Sequence, residues 1–301
     1  METIAHHGGL GIARYFARRM AKKAGATLAM EDQAVSRKLA DISGDRVPCA
    51  PGVKVELGEI AGQSAIYFTP ENPRPGTLLF FHGGGYITGS AQSHKPFVSK
   101  LSQVLNMKAI SANYRLAPED ICPAAAEDCE KTLRVVRESE DGPLILAGDS
   151  AGGGVSLAAL LRHRDAGRRM PEAVYLISPW VDLTGAGESM KTEADHDPMI
   201  TPHGIKGASA LYVGDGDNRS RDASPLFADL SGLPPILIQV GEHEVLRDDS
   251  VRLAEKLKEY GVEHRAELWS AMFHDFQLFY PIISEARTAI KDAAAWLETH
   301  L

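Results

Sequence analysis

The sequence predicts an α/β fold in which a mostly parallel central sheet is flanked by helices. Short apolar segments of strand length alternate along the chain with longer segments whose apolar residues recur at helical spacing. Two of the strand-like segments, residues 77–81 and 144–147, are almost continuously apolar. Continuous apolar strands are typical of parallel sheets that are buried on both faces.

Composition limits the class of protein. The chain has 301 residues and a net charge of −8 without long blocks of one sign, which argues against a nucleic-acid partner. Its three cysteines show no CxxC spacing, so we expect reduced thiols and neither disulfides nor zinc. The first residues lack the pattern of a signal peptide, and no apolar run is long enough to span a bilayer. We therefore expect a cytoplasmic protein with no membrane partner.

Two helices are expected first, at residues 10–23 and 31–42. The first helix has two interpretations: a basic membrane-surface helix, or, as we favour, a helix that packs its apolar stripe on the protein's own core. Its stripe comprises Leu10, Ala13, Phe16, Ala17 and Met20. The second helix has Val35, Leu39 and Ile42 on one side, and Gly44 is expected to end it.

The remaining elements follow in alternation, apart from one interruption. Strands are predicted at residues 53–57, 65–68, 77–81, 108–113, 144–147, 173–179, 235–240 and 264–268. Helices are predicted at residues 96–105, 124–138, 155–161, 248–260 and 284–297. Residues 180–230 are rich in Gly, Asp, Pro and Thr, with one helix near residues 205–212. This break predicts an insertion over the carboxyl edge of the sheet, where ligands bind in such folds.

A Gly-x-Ser-x-Gly motif spans residues 148–152, between a predicted strand and a predicted helix. In that context the turn is sharp and strained, and it exposes the hydroxyl of Ser150 above the sheet. Gly148 and Gly152 suit so tight a bend because they have no Cβ. The alternatives are a glycine-rich helix start and a phosphate-binding turn. The motif makes Ser150 a candidate nucleophile.

A serine nucleophile needs a base, and histidine suits this role because its unperturbed pKa is about 6.5. In folds that carry this turn the order along the chain is serine, acid, histidine, so the base is expected after the last strand. His274 has that position, whereas His264 lies within a predicted strand, His300 is terminal and His243 precedes a helix. His274 is therefore the candidate base.

The acid is expected in the loop after residues 235–240. Glu242, Glu244, Asp248 and Asp249 all lie there. The two aspartates resemble first-turn carboxylates of the next helix, which the helix dipole favours. Glu244 is our choice, and its role is to hold the imidazole's tautomer and stabilise the imidazolium.

Donors for a developing oxyanion are expected from the glycine run that follows His82. Backbone N–H groups without side chains can approach one point, and the N–H of Ala151 completes the set. A phosphate-binding loop is the alternative, but neither Gly-x-x-x-x-Gly-Lys-Ser/Thr nor Gly-x-Gly-x-x-Gly occurs at these turns.

These motifs together resemble the hormone-sensitive-lipase family, the bacterial family IV esterases. The segments that carry the resemblance are residues 82–85 (HGGG), 114–119 (YRLAPE), 148–153 (GDSAGG), 178–180 (SPW), 195–201 (DHDPMIT) and 246–249 (LRDD). The commonest family pattern has Asp-Pro-Leu where this chain has Glu244-Val245-Leu246, although members with glutamate exist.

The resemblance implies an α/β-hydrolase fold with a helical cap. Residues 1–45 and 181–230 then form the cap, and residues 46–180 and 231–301 form the core. The oxyanion donors are expected at Gly84, Gly85 and Ala151. The pocket walls are expected to include Tyr86, Met199, Tyr212 and Phe273.

The activity that the resemblance implies is a serine carboxylesterase for short-chain or compact esters, with an acyl-enzyme intermediate, no cofactor and no metal. One alternative is hydrolysis of lactones, such as monoterpene lactones, or of amides. Another is a binding protein, because the plant gibberellin receptor resembles this family but lacks the base histidine. Family habit also suggests a homodimer formed through an exposed last strand.

Overall fold

The computed structural model describes residues 1–4, 12–29 and 32–301. Its strands are β1 (Glu2–Ile4), β2 (Val53–Ile60), β3 (Gln63–Pro70), β4 (Arg74–Phe81), β5 (Met107–Ala112), β6 (Leu144–Asp149), β7 (Ala173–Ile177), β8 (Ile236–His243) and β9 (His264–Phe273). Its helices are α1 (Ile12–Leu28), α2 (Gln33–Asp45), α3 (Ala91–Leu105), α4 (Ala124–Ser139), α5 (Ala151–Asp165), α6 (Ser189–Thr192), α7 (Pro202–Val213), α8 (Arg247–Glu259) and α9 (Ser284–Glu298).

These strands form one sheet in the order β1-β9-β8-β7-β6-β4-β5-β3-β2. All neighbouring pairs are parallel except β2–β3 and β3–β5. The mostly parallel sheet of the sequence prediction is confirmed, and the strand order places β4, β6, β7 and β8 side by side at its centre.

The side chains of successive residues in β4 point to opposite faces of the sheet. Leu79 and Phe81 pack with α4, α5 and α8, whereas Leu78 and Phe80 pack with α3 and α9. All four side chains are fully buried. A strand that is covered on both sides must be apolar at every position, which is the pattern seen in the sequence.

The last strand, β9, is not the edge of the sheet. The short strand β1, which the sequence analysis missed, pairs with it in parallel through Glu2–Glu267, Thr3–Leu268 and Ile4–Trp269. The expectation of an exposed last strand is therefore wrong, because three residues from the other end of the chain cover it. The homodimer itself stays a prediction.

Helix α1 packs on the protein's own core, as we favoured, but of the predicted stripe only Ala17 is buried among the described residues. Leu10 lies outside the described residues, and Ala13, Phe16 and Met20 are exposed. The buried positions are Ala17, Ala21 and Gly25, at intervals of four residues. Close approach explains their small size, since a Cβ on Gly25 would lie 1.8 Å from the carbonyl oxygen of Met199. The prediction that the larger apolar side chains face the core is wrong.

Helix α2 also differs from its prediction. Glu31, its predicted first residue, lies outside the described residues, and Val35 and Leu39 are exposed. Gly44 does not end the helix but lies in its last turn, where a Cβ would be 2.3 Å from the carbonyl oxygen of Gln92. The glycine is thus needed for contact with α3.

Residues 181–230 depart from the alternation, as the sequence indicates, and contain only α6, α7 and a short 3₁₀ turn at Pro225–Phe227. We call this stretch segment 181–230. In the described part of the chain, none of the helices combines the length and the apolar character that crossing a membrane requires. The cytoplasmic location stays a prediction.

Candidate active site

The turn after β6 holds Ser150 in an unusual backbone conformation, with φ 51° and ψ −120°. Such a conformation is strained for a residue with a side chain and persists only when its surroundings hold it. Here the Ser150 N–H donates to the carbonyl oxygen of Ile177 at 2.8 Å, and the Ser150 carbonyl accepts from Gly153 and Gly154 at 3.0 and 3.1 Å. The turn is therefore anchored to the neighbouring strand β7 and to the start of α5.

The two flanking glycines have no room for a side chain. A Cβ on Gly148 would lie 2.3 Å from the Gly152 carbonyl oxygen, and a Cβ on Gly152 would lie 2.1 Å from that of Phe81. The second contact reaches the end of β4, where the glycine loop begins. The Gly-x-Ser-x-Gly spacing thus reflects two close backbone approaches.

Three predicted residues meet at the carboxyl edge of the sheet. Ser150, Glu244 and His274 follow β6, β8 and β9 directly, and these three strands run in the same direction. His274 Nε2 lies 2.9 Å from Ser150 Oγ, and His274 Nδ1 lies 3.0 Å from Glu244 Oε2. All three side chains are buried. With the Nδ1 proton directed at the carboxylate, Nε2 is free to accept the serine proton.

The carboxylate of Glu244 is held on both oxygens. Oε1 accepts from the Ser178 hydroxyl at 2.8 Å and from the Gly241 N–H, while Oε2 faces His274. Hydrogen bonds to both oxygens hold a buried carboxylate in one orientation. Glu244 can therefore hold the imidazole in a single tautomer.

The competing carboxylates have other partners. Asp248 accepts from the Ser189 N–H at 2.9 Å, and Glu242 accepts from the Ala271 N–H at 2.8 Å. Asp249 accepts from the N–H groups of Val181 and Asp182, both at 2.9 Å. The loop after β8 thus places only Glu244 beside the imidazole, within the described residues.

A second carboxylate, which sequence reasoning missed, also reaches the imidazole. Asp275 Oδ2 lies 3.1 Å from His274 Nε2, on the nitrogen that faces Ser150. Burial raises the pKa of Asp275 to about 7, although His274 opposes the shift. Burial also acts to lower the pKa of His274, but Asp275 and Glu244 outweigh it and raise that pKa well above 6.5. The sequence feature that could have indicated this contact is the position of Asp275 directly after His274.

The glycine loop after β4 adopts conformations that favour glycine, with φ 118° at Gly84 and 64° at Gly85. The Gly83 N–H donates to Asp149 Oδ1 at 2.9 Å. Within the described part of the chain, the N–H groups of Gly84 and Gly85 donate to no other residue. Both glycines line the same cavity as Ser150, and Ala151 is the first residue of α5. N–H groups at a helix N-terminus and in such a loop are suited to an anion.

Buried polar residues support this loop from behind. His82 Nδ1 donates to the Gly83 carbonyl at 2.8 Å, and burial together with His94 lowers the pKa of His82 to about 3, so this ring is neutral. His94 Nε2 lies 3.1 Å from Asp149 Oδ2. Burial alone would lower the pKa of His94, but the charge of Asp149 outweighs it and raises that pKa. The sequence did not indicate this pair, because Asp149 is one of the variable positions of the Gly-x-Ser-x-Gly motif and His94 belongs to no recognised motif.

A cavity of about 870 Å³ opens onto Ser150 and His274. Three parts of the chain supply most of its walls: helix α1, the loop before α7, and α7 itself. The main side chains are Tyr15, Arg18, Arg19 and Lys22 from α1, Asp195, Asp197, Met199 and Ile200 from the loop, and Ile205, Ala208 and Leu211 from α7. The position of α1 in the wall agrees with the cap assignment that the family resemblance implies for residues 1–45, although no individual α1 residue was named as a wall residue.

Of the four predicted wall residues, only Met199 lines the cavity. Tyr86 and Tyr212 are buried behind it and stack on each other with ring centroids 3.9 Å apart. Phe273 is also buried and packs edge-on against Phe279 at 5.2 Å. The expectation for these three aromatic residues is corrected: Tyr86 and Tyr212 belong to the main core, and Phe273 belongs to a separate apolar cluster with Ala17 and Ala21 of α1.

The fold, together with the arrangement of Ser150, Glu244 and His274 at the carboxyl edge of the sheet, defines an α/β hydrolase. The family model of the alpha/beta hydrolase fold matches residues 78–278, two thirds of the chain. The chain belongs to that family and, within it, to the carboxylesterases of the hormone-sensitive-lipase group.

Individual relatives agree with this assignment. An acetyl-hydrolase of Streptomyces hygroscopicus is 38% identical over 251 residues, which cover 83% of each chain. An esterase of Acinetobacter venetianus is 33% identical over 254 residues, 82% of each chain. The crystal structure of an esterase from the bacterial hormone-sensitive lipase family is 33% identical, with a TM-score of 0.92 over 97% of this chain and 99% of that chain.

Proposed function

We propose that this carboxylesterase cleaves short-chain or compact esters through an acyl-enzyme formed on Ser150. The observation that carries the proposal is the position of His274, hydrogen-bonded at 2.9 Å to the serine hydroxyl and at 3.0 Å to the Glu244 carboxylate. A serine hydroxyl becomes nucleophilic when a base within hydrogen-bond reach removes its proton.

In the first half-reaction, Ser150 Oγ attacks the acyl carbonyl carbon while His274 Nε2 takes the hydroxyl proton. The carbonyl oxygen becomes an oxyanion, which accepts hydrogen bonds from the N–H groups of Gly84, Gly85 and Ala151. The tetrahedral intermediate then collapses and the carbon–oxygen bond of the ester breaks. The leaving alkoxide receives the proton from His274.

In the second half-reaction, His274 takes a proton from water, whose oxygen attacks the acyl carbon. A second oxyanion forms on the same donors, and its collapse releases the carboxylic acid as Ser150 regains its proton. Glu244 keeps the Nδ1 proton directed at its own carboxylate throughout. It thereby stabilises the imidazolium of each intermediate without taking the proton.

The size of the substrate is set by a cap that we assign to residues 1–45 and 181–230, over a core of residues 46–180 and 231–301. Support comes from the cavity, whose walls are largely side chains of α1, of the loop before α7 and of α7. Ile205 and Leu211 supply apolar surface for an acyl or alkyl group. A relative named acetyl-hydrolase agrees with a short acyl group.

Hydrolysis of p-nitrophenyl esters of increasing acyl length tests the proposal. We expect turnover of the acetate and butyrate, a decline with longer chains, and loss of turnover by a factor of about 10⁴ or more in Ser150→Ala. Ser139→Ala is the matched control, because Ser139 lies at the exposed end of α4. Retained turnover in Ser150→Ala, or none in the wild type, would refute the mechanism. A lactone panel run alongside distinguishes the lactonase alternative.

A further inference from the structure

Two histidines and a glutamate converge beside the catalytic strand ends, outside the catalytic site. Glu193 and His196 belong to segment 181–230, and His243 is the last residue of β8, immediately before Glu244. One potential ligand atom from each residue lies within 4.8 Å of the other two. We propose that Glu193, His196 and His243 bind a divalent transition-metal ion, with zinc as the best fit, that ties segment 181–230 to the core.

The two distances from the carboxylate to the imidazoles match tetrahedral coordination. Glu193 Oε2 lies 3.2 Å from His243 Nδ1 and 3.4 Å from His196 Nδ1. Zinc binds imidazole nitrogen and carboxylate oxygen at about 2.0–2.2 Å, which places neighbouring ligands of a tetrahedron about 3.3 Å apart. The ligand atoms of the two histidines lie within 4.8 Å of each other, so the exposed His196 ring must move by at most about 1.5 Å toward His243 for one ion to bind all three residues.

The carboxylate is already oriented for this role. Its other oxygen, Oε1, accepts from Arg247 Nη1 at 3.0 Å, so Oε2 is the oxygen that faces both imidazoles. Outer partners of this kind fix the orientation of metal ligands. Arg247 also pairs with Asp248 at 3.2 Å, which offsets part of its repulsion toward a cation.

Exposure leaves a path for the ion and a position for a fourth ligand. The Glu193 side chain is 11% exposed, whereas the His243 and His196 side chains are 33% and 59% exposed. Water can thus complete the coordination from the solvent side. Two imidazoles and one carboxylate favour zinc, nickel or copper over calcium and magnesium, which prefer sets of oxygen ligands.

The proposed ion would sit where segment 181–230 is already fastened to the loop that carries Glu244. Asp197, one residue after His196, accepts from the Val245 N–H at 3.1 Å. Within the described part of the chain, the Glu193 side chain pairs across this boundary with His243 and Arg247. Ligation would replace the His243 pair with coordinate bonds, and the folded state should gain stability by linkage.

The test is Co²⁺ binding to metal-free full-length protein, followed by the visible absorption band of four-coordinate cobalt, with Zn²⁺ as competitor. The parent carries His6→Ala and His7→Ala, which removes a histidine pair that could bind metal by itself. We expect one equivalent of Co²⁺ to bind, displacement by Zn²⁺, and a rise in Tm with Zn²⁺. His196→Ala and His243→Ala should each weaken binding at least tenfold and abolish the rise in Tm.

His300→Ala is the matched control, because His300 forms a similar pair with Glu263 at 3.0 Å and, among the described residues, belongs to no group of three potential ligands. It should bind Co²⁺ like the parent. His196 is exposed, so its variant is expected to fold, and Tm without metal checks this. Absence of the four-coordinate band, or equal affinity in His196→Ala, His243→Ala and His300→Ala, would overturn the proposal. These measurements do not depend on esterase activity, so their failure would leave the serine mechanism untouched.

Discussion

Asp149 Oδ1 accepts a hydrogen bond from the Gly83 N–H at 2.9 Å, so the residue before the nucleophile holds the glycine loop that faces it. The other oxygen, Oδ2, pairs with His94 at 3.1 Å, and both side chains are buried. The pair ties the turn after β6 to the loop after β4. This bond occupies the Gly83 N–H, whereas we propose the N–H groups of Gly84 and Gly85 as the donors to the oxyanion.

We expect His94→Ala to lower kcat by about tenfold to a hundredfold, because the Asp149 charge loses its buried partner and the glycine loop shifts. KM should change little, since His94 does not line the cavity. His163→Ala is the control: His163 is also buried and, in the last turn of α5, pairs with Glu130 of α4 at 3.2 Å. Equal kcat losses in both variants would contradict a specific role for His94.

Glu244→Ala should lower kcat by about three to four orders of magnitude, because the imidazole loses its orienting carboxylate. Asp248→Ala should retain most of the activity, since Asp248 instead accepts from the Ser189 N–H of α6 at 2.9 Å. The measurement is kcat on p-nitrophenyl butyrate, with Tm as a check on folding. The reverse ranking would transfer the acid role to Asp248.

Asp275→Asn should move the acid limb of the kcat/KM profile to lower pH. His274 must be neutral to accept the serine proton, so activity falls as pH drops through its pKa. The carboxylates of Asp275 and Glu244 raise this pKa against the effect of burial, and removal of one negative charge lowers it. Asp197, which also interacts with His274, is unchanged in the variant. An acid limb that stays in place would show that Asp275 is uncharged in the working enzyme.

Gly84→Ala should lower kcat by about a hundredfold to a thousandfold, the usual effect of losing an oxyanion donor. At φ 118° a side chain is strained, and its Cβ would lie 2.2 Å from the Thr88 carbonyl oxygen, so the loop must move. Gly167→Ala is the control, with φ 67° and no atom within 4 Å of the added Cβ. It introduces backbone strain away from the site, and its kcat should match the wild type.

Asp249→Asn should remove one contribution that makes the protein less stable as pH rises from about 4 to about 8. Burial and Asp182 raise the pKa of Asp249 from 3.8 to about 8, so the folded state binds more protons than the unfolded state in this interval. The contribution of Asp249 to the free energy of unfolding therefore decreases as pH rises. Urea denaturation at several pH values measures the difference, and parallel curves for both proteins would exclude the effect.

Local sequence patterns were sufficient for the sheet and for two of the three catalytic candidates. Apolar continuity predicted β4 and β6, and the glycine spacing around Ser150 reflects backbone contacts that exclude any Cβ. His274 followed from its place after the last strand. The hydrophobic pattern did not predict β1, because three residues are too few to show the alternation that is typical of a strand.

By itself, the sequence determined the α/β class, the Ser150 turn and the position of His274, since each depends on the order and spacing of neighbouring residues. Only the tertiary structure decided which carboxylate faces the imidazole, because the hydrogen-bond donors that occupy Asp248 and Asp249 come from segments more than fifty residues away. It also decided that α1 packs through small residues and that Tyr86, Tyr212 and Phe273 are buried in the core and do not line the cavity. Hydrophobicity along a chain indicates what is buried, but the fit between distant surfaces determines which side chain faces the substrate.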